Sequence, residues 1–267
     1  MNIPPISSKE NPRIKWARKL QQRRVRQAEG LMLIEGVRLV ADAWAAGVRP
    51  TEIFFEAEAL RGTAKGGALL GELQAAGVHC LPVTPAVFAE VSETVSPQGI
   101  AAVVPLPSFP APAQPTLALL LDGVRDPGNA GTLLRTAEAV GVQLVLFGPG
   151  TVDPLNGKVV RAAMGAHFRL PVVEFGDWSE VEAILPGVAL FVAEMEAPTA
   201  YDKVEWCAPS ALVVGGEAEG ASDEARRRAT PVAIPMAGRA ESLNAAMAGA
   251  VILFEAARQR RHSASGR

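Results

Sequence analysis

The chain has 267 residues and a mass of 28.0 kDa, enough for one or two domains. Its 49% hydrophobic and 20% charged content excludes a wholly disordered chain, and a net charge of −2 argues against a partner held by bulk electrostatics. That total hides a polarised distribution. Across residues 9–26, Lys9, Arg13, Lys15, Arg18, Lys19, Arg23, Arg24 and Arg26 stand against Glu10 alone, a net +7 that leaves −9 for the rest. Such a segment suits one face that attracts a polyanion, or simply a solvated helix face.

The first 104 residues read as α/β. A helix is expected over 8–28, a strand over 31–34, and a helix over 36–46 with Val37, Val40, Ala41 and Trp44 on one face. Strands follow over 53–55 and 79–83, separated by a helix ending near Gly77, and a last strand covers 100–104. The segment PLPSFPAPAQP, residues 105–115, has five prolines in eleven residues and reads as a stiff, extended linker. It divides the chain into domains of 1–104 and 116–267.

Beyond the linker, strands over 117–121, 143–147, 172–174, 188–193, 211–214 and 232–234 alternate with helices over 129–140, 157–164, 178–185 and 242–258. Runs of Val, Leu and Ile between helices imply a parallel sheet buried on both faces. The polar tail RQRRHSASGR is expected to fray. Cys80 and Cys207 are far apart and form no CxxC, the N-terminus lacks an apolar signal core, and no run is long enough to span a bilayer. The expectation is a cytoplasmic protein without a membrane partner.

In parallel α/β sheets, ligands bind beyond the carboxyl ends of the strands. Three glycine-containing loops lie there: DGVRDPGNAGTLLRTAEAVG (122–141), VVGGEAEG (213–220) and IPMAGRAESLNAA (234–246). Asn129 sits near a helix start and is either a simple N-cap or a functional amide. Arg135 lies among Leu133, Leu134, Ala137 and Val140, where it either snorkels to the surface or serves a site. Glu217 and Glu219 form a tight acidic turn, and Ser242 is a second candidate N-cap. Walker A, GxGxxG, HExxH and GxSxG patterns are missing, and His79, His167 and His262 are scattered, so no metal site is expected.

Together and in order, the three loops resemble motifs 1, 2 and 3 of the SpoU/TrmH family of SPOUT RNA 2′-O-ribose methyltransferases. The matching residues are Asn129, Gly131 and Arg135; then Gly215, Glu217 and Gly220; then Ile234-Pro235-Met236, Gly238 and Glu241-Ser242-Leu243-Asn244. VVRAAMGAHFRLPV (159–172) resembles the segment between motifs 1 and 2, so the likeness covers 116–258. The stretches NPRIKWARKL, LMLIEGVRLV and SPQGIAAVV resemble the family's L30e-like substrate-recognition domain. Gly216 stands where many members carry Asn, Ala218 where many carry Gly, and Ala163 where Ser is frequent.

The resemblance implies a SPOUT-type parallel sheet with a C-terminal trefoil knot, preceded by the smaller L30e-like α/β domain. It implies S-adenosylmethionine held by backbone at Gly215, Ile234, Met236 and Leu243, no metal, and a homodimer that completes the site. The reaction implied is attack of a ribose 2′-oxygen on the sulfonium methyl. Arg135 would activate the hydroxyl or hold the adjacent phosphate, and Asn129 would orient the ribose or Arg135. Glu217, Ser242 and Asn244 would position the site, while Lys15, Arg23, Arg24 and Arg26 would grip RNA phosphates. Large-subunit ribosomal RNA is the expected substrate. The alternatives are transfer RNA, a non-catalytic SPOUT-like RNA-binding protein, and a Rossmann-type nucleotide enzyme.

Overall fold

The computed structural model describes residues 4–239 and 242–265; Glu241 and the last two residues of the tail lie outside them. The chain forms two compact units, residues 1–107 with 155–168, and residues 108–154 with 169–267.

The first unit contains α1 (Pro12–Lys19), α2 (Arg23–Glu29), β1 (Leu31–Glu35), α3 (Val37–Ala45), β2 (Glu52–Phe55), α4 (Ala57–Arg61), α5 (Gly66–Ala75), β3 (Cys80–Pro82), α6 (Pro85–Val91) and β4 (Ile100–Pro105). Its sheet has the order β1-β4-β2-β3, with β4 antiparallel to both neighbours and β2 parallel to β3. Strand alternation divides the core between the two faces. Ile100, Ala102 and Val104 join Met32, Val40 and Leu73 on one side, while Ala101 and Val103 join Ile14, Phe54 and Phe88 on the other.

The helix expected over 8–28 is two helices. Asn11 caps α1 through Arg13 N at 2.9 Å, Pro12 sits at its first turn, and the chain turns at 20–22 before α2 begins. Arg26 is 4% exposed and donates to the carbonyls of Leu20 and Gln21, at 3.3 and 2.6 Å. Its guanidinium satisfies the end of α1, where carbonyls lack helical partners. It is therefore not a surface contact for phosphate, as its place in a basic run suggested.

The second unit contains β5 (Leu117–Asp122), α7 (Pro127–Val140) and β6 (Leu144–Phe147). The chain then passes through α8 (Gly157–Ala163), whose Val160 joins the first unit's core together with Phe168. The second unit resumes with β7 (Val172–Glu174), α9 (Ser179–Ile184), β8 (Ala189–Glu194), β9 (Thr199–Ala200), β10 (Ser210–Gly215), α10 (Asp223–Arg228), β11 (Thr230–Ala233) and α11 (Ala245–Ser265). Its seven-stranded sheet, β7-β6-β5-β10-β8-β11-β9, is parallel at every pairing. Its strands are apolar because both faces are covered, one by α9 and α10 and the other by α7 and α11. The stretch 155–168, expected within this domain, instead packs with the first unit.

The tail is helical over its described part, α11 continuing to Ser265. Arg260 donates to the carbonyls of Trp206, Thr116 and Ala208 at 2.8, 2.6 and 2.9 Å, and Gln259 donates to Val204 O. Burial pushes the Arg260 pKa down from its ordinary value. Arg260→Ala is expected to lower stability by about 2 kcal/mol, read as a lower urea midpoint at unchanged m-value. Among the described residues no helix is long and apolar enough to cross a membrane.

Candidate active site

The site begins where β5 and β10 end side by side. Their parallel register pairs Asp122 with Gly215, so the loops that follow both strands emerge together. Asp122 is 3% exposed and accepts from Ser222 N at 2.6 Å, fixing the chain after the second loop. That loop closes on itself through two backbone bonds of 3.0 Å between Gly216 and Gly220. A Cβ on Gly215 would overlap backbone atoms of Gly220 and Ala221, and one on Gly216 would overlap the Gly123 carbonyl. The departure at Gly216 thus has a packing reason in this chain.

Asp126, not Asn129, caps α7: its carboxylate accepts from Asn129 N at 2.8 Å, with Pro127 at the first helical position. This leaves the Asn129 side chain for other partners. Its amide donates to Glu217 Oε1 at 2.7 Å, and its carbonyl oxygen accepts from Asn244 Nδ2 at 3.0 Å. One residue from each of the three loops therefore enters a single hydrogen-bonded chain, Glu217–Asn129–Asn244. Asn244, rather than Ser242, caps α11, since its Oδ1 accepts from Ala246 N and Met247 N at 3.0 and 3.2 Å. Asn244→Ala is expected to cost about 1 kcal/mol of stability through the lost cap, measurable by urea unfolding.

Beside this chain lies a cavity of about 450 Å³, within the range of small-ligand sites. Val214, Ile234, Met236, Leu243, Ala248 and Ile252 give it apolar walls. Glu194, Glu217, Glu219 and Arg226 bring charge to its lining. Arg226 donates to Glu194 at 2.7 Å and to the Glu219 carbonyl at 3.3 Å, bracing the 216–220 turn. Glu194 pairs with Arg226 and Glu219 with Arg125 at 3.6 Å, so the lining keeps an acidic excess of one carboxylate, Glu217, and favours a ligand with an apolar body and positive charge.

Gly215, Ile234, Met236 and Leu243, expected at a cofactor, all line this cavity, as do Glu217, Ser242 and Asn244. Arg135 is exposed on α7 and is not among the lining residues. Glu241, also of the third motif, lies outside the described residues. In the first unit, Lys15, Arg23 and Arg24 are exposed. Lys15 pairs with Glu10, Arg13 with Glu52, and Lys9 and Arg18 with Glu90, so acids distant in sequence temper the basic run. Sequence reasoning missed Glu194, Met195 and Arg226. Glu194 ends a parallel strand, the signal that found the other loops, whereas Arg226 belongs to a short helix that was not foreseen. Among the described residues no group of three or more His, Cys, Asp or Glu is placed to hold a metal ion.

The SpoU rRNA Methylase family model matches residues 116–254 of this chain, and an MRM3-like substrate binding domain model matches residues 11–102. The chain belongs to the SpoU rRNA methylase family. It is 34% identical to the 23S rRNA (guanosine(2553)-2'-O)-methyltransferase RlmP of Bacillus subtilis, over 93% of this chain and 97% of that protein. Among solved structures, it is similar to an AdoMet-bound rRNA methyltransferase from Sinorhizobium meliloti, with a TM-score of 0.80 and 29% identity over 97% of this chain and 98% of that one. It is also similar to the SpoU methyltransferase AviRb from Streptomyces viridochromogenes in complex with AdoMet, with a TM-score of 0.80 and 28% identity over 94% and 99% of the two chains.

Proposed function

We propose that this chain methylates a ribose 2′-hydroxyl of ribosomal RNA, with S-adenosylmethionine as the methyl donor. The observation that carries the reading is the Glu217–Asn129–Asn244 chain, one residue from each motif, beside a cavity lined by all four expected cofactor residues. The cavity's chemistry fits the donor. Apolar walls suit an adenine ring, Gly215 leaves no room for a side chain, and the acidic excess at Glu217 complements a sulfonium. S-adenosylmethionine supplies an already activated methyl group, so the protein's task is orientation and proton removal.

In this reading Gly215, Ile234, Met236 and Leu243 hold the donor, and Ser242 and Asn244 shape the entrance. Asn129 takes its orientation from Glu217 and Asn244. Arg135, exposed on α7, meets the RNA: its guanidinium holds a phosphate beside the reacting ribose and electrostatically favours loss of the 2′ proton to water as the 2′-oxygen bonds the methyl, the methyl–sulfur bond breaks and S-adenosylhomocysteine leaves. The first unit is the substrate-recognition domain of this reading and the second unit, residues 108–154 with 169–267, the catalytic one, with the proline-rich stretch 105–115 spanning their first boundary. The trefoil knot, the homodimer and a cytoplasmic location belong to the same proposal.

Support for the homodimer comes from α11, where Met247 and Phe254, seven residues apart and on one face, are 56% and 52% exposed. The decisive experiment is transfer of radiolabelled methyl from S-adenosylmethionine to unmodified large-subunit ribosomal RNA, with the product mapped as a 2′-O-methyl nucleotide. RNA binding and stabilisation by S-adenosylhomocysteine, with no transfer to ribosomal or transfer RNA, would make the chain a non-catalytic binder and overturn the reading.

A further inference from the structure

The first unit carries a second concave surface, a groove of about 420 Å³ lined by Pro12, Arg13, Trp16, Leu31, Thr51 and Glu52. Three of these residues come from α1, where spacings of three and four place side chains on adjoining parts of the surface. By the same spacing Lys15 follows Pro12, and Lys19 follows both Lys15 and Trp16, so an exposed pair of lysines runs beside the indole. The other three tryptophans are engaged. Trp206 is fully buried and donates to the Tyr201 carbonyl, Trp178 packs edge-on against Phe175, and Trp44 lies under the Arg49 guanidinium at 4.3 Å. Among the described residues no ring or cation stacks on Trp16, which is half-buried.

An aromatic side chain in an open groove, flanked by cations on the same helix, is a combination that binds single-stranded nucleic acid. A flat, uncharged ring stacks on the indole, and phosphates follow the lysines. We propose that this groove receives one unpaired nucleobase of the RNA substrate, stacked on Trp16, with Lys15 and Lys19 holding the flanking phosphates. The proposal rests on the RNA-methylating function above and goes beyond it by assigning the chemical feature that the first unit reads, an unstacked base rather than duplex shape. Charge complementarity favours this occupant over a neutral or basic peptide, since the basic run keeps an excess of positive charge after Glu10, Glu52 and Glu90 take their partners.

The test compares Trp16→Leu, which keeps apolar bulk without a stacking face, with Trp16→Phe, which keeps the face. Binding of a single-stranded oligoadenylate and of a blunt RNA duplex of equal length is measured for each, along with methyl transfer to large-subunit ribosomal RNA. The wild type is expected to prefer the single strand. Trp16→Leu is expected to lose roughly 10-fold in single-strand affinity and to raise KM for RNA similarly, with kcat and S-adenosylhomocysteine affinity unchanged. Trp16→Phe is expected to recover most of the loss. Ultraviolet crosslinking of the unmutated chain, which requires no variant to fold, is expected to join RNA to the peptide containing Trp16.

Unchanged single-strand affinity in Trp16→Leu, or crosslinks confined to other peptides, would overturn the groove assignment while methyl transfer by the wild type left the function intact. A Trp16-dependent change in oligomer mass with unchanged RNA affinity would assign the groove to self-association and equally overturn it. Failure of the wild type to transfer methyl at all would count against the function itself, a result separable from the binding arms.

Discussion

Arg135→Ala is expected to lower methyl transfer by a factor of roughly 10²–10³, the range associated with removing one group that stabilises charge developing in the transition state. Stabilisation by S-adenosylhomocysteine should be unaffected. The asymmetry follows from placement: Arg135 is exposed on α7, while the cavity walls come from Val214, Ile234, Met236, Leu243, Ala248 and Ile252. Removing its side chain therefore leaves the cavity lining whole and empties an exposed position that the proposed function assigns to RNA. Arg135→Lys separates the two parts of the role. An ammonium retains the point charge but not the planar fork, so partial recovery points to phosphate attraction and no recovery to bidentate geometry. Near-wild-type turnover of Arg135→Ala in a single-turnover assay would remove the residue from the reaction.

Gly215→Ala is expected to act in the opposite way, abolishing donor binding. The added methyl would overlap backbone at Gly220 and Ala221, which cannot rotate aside as a side chain tip does. Relief requires the 216–220 turn to move, and that turn carries Glu217 and closes the cavity. Overpacking of this kind costs typically about 1–3 kcal/mol. The wild type should gain about 2.7 kcal/mol at a ligand concentration 100 times Kd, and the variant should gain almost none. An unchanged thermal shift with S-adenosylhomocysteine in Gly215→Ala would place the donor elsewhere.

Much of the second unit was legible because its strands are continuous apolar runs. Residues 117–121 and 211–214 are buried throughout, as both-face coverage demands, and the rule that ligands lie beyond strand carboxyl ends led to the three loops. The short elements were not legible. In α10, six residues long, only Ala225 is buried, so no apolar period exists to detect, and β9 has two residues. The break between α1 and α2 was hidden because the basic residues run across it, and Arg26 looks like its neighbours until its carbonyl partners are known.

At the site, the three loops could be chosen one by one, but the link from Asn129 to Glu217 and Asn244 spans 88 and 115 positions. It depends on β10 lying next to β5, a pairing no local pattern specifies. The tempering of the basic run is a similar long-range effect, since Glu52 and Glu90 enter it only through the fold.

The placement of Leu155–Phe168 has a consequence for how the protein is made. Val160 and Phe168 belong to the core that otherwise consists of residues from the first 107 positions. A ribosome adds residues at about 5–20 per second, so the 61 positions from 107 to 168 take on the order of 3–12 s. During that interval Met32, Val40 and Leu73 can gather, but their core lacks two of its members. Meanwhile β5 and β6, which pair only with strands of the other unit, have already been synthesised. The N-terminal part of this chain thus reaches its full core only after synthesis of the second unit has begun.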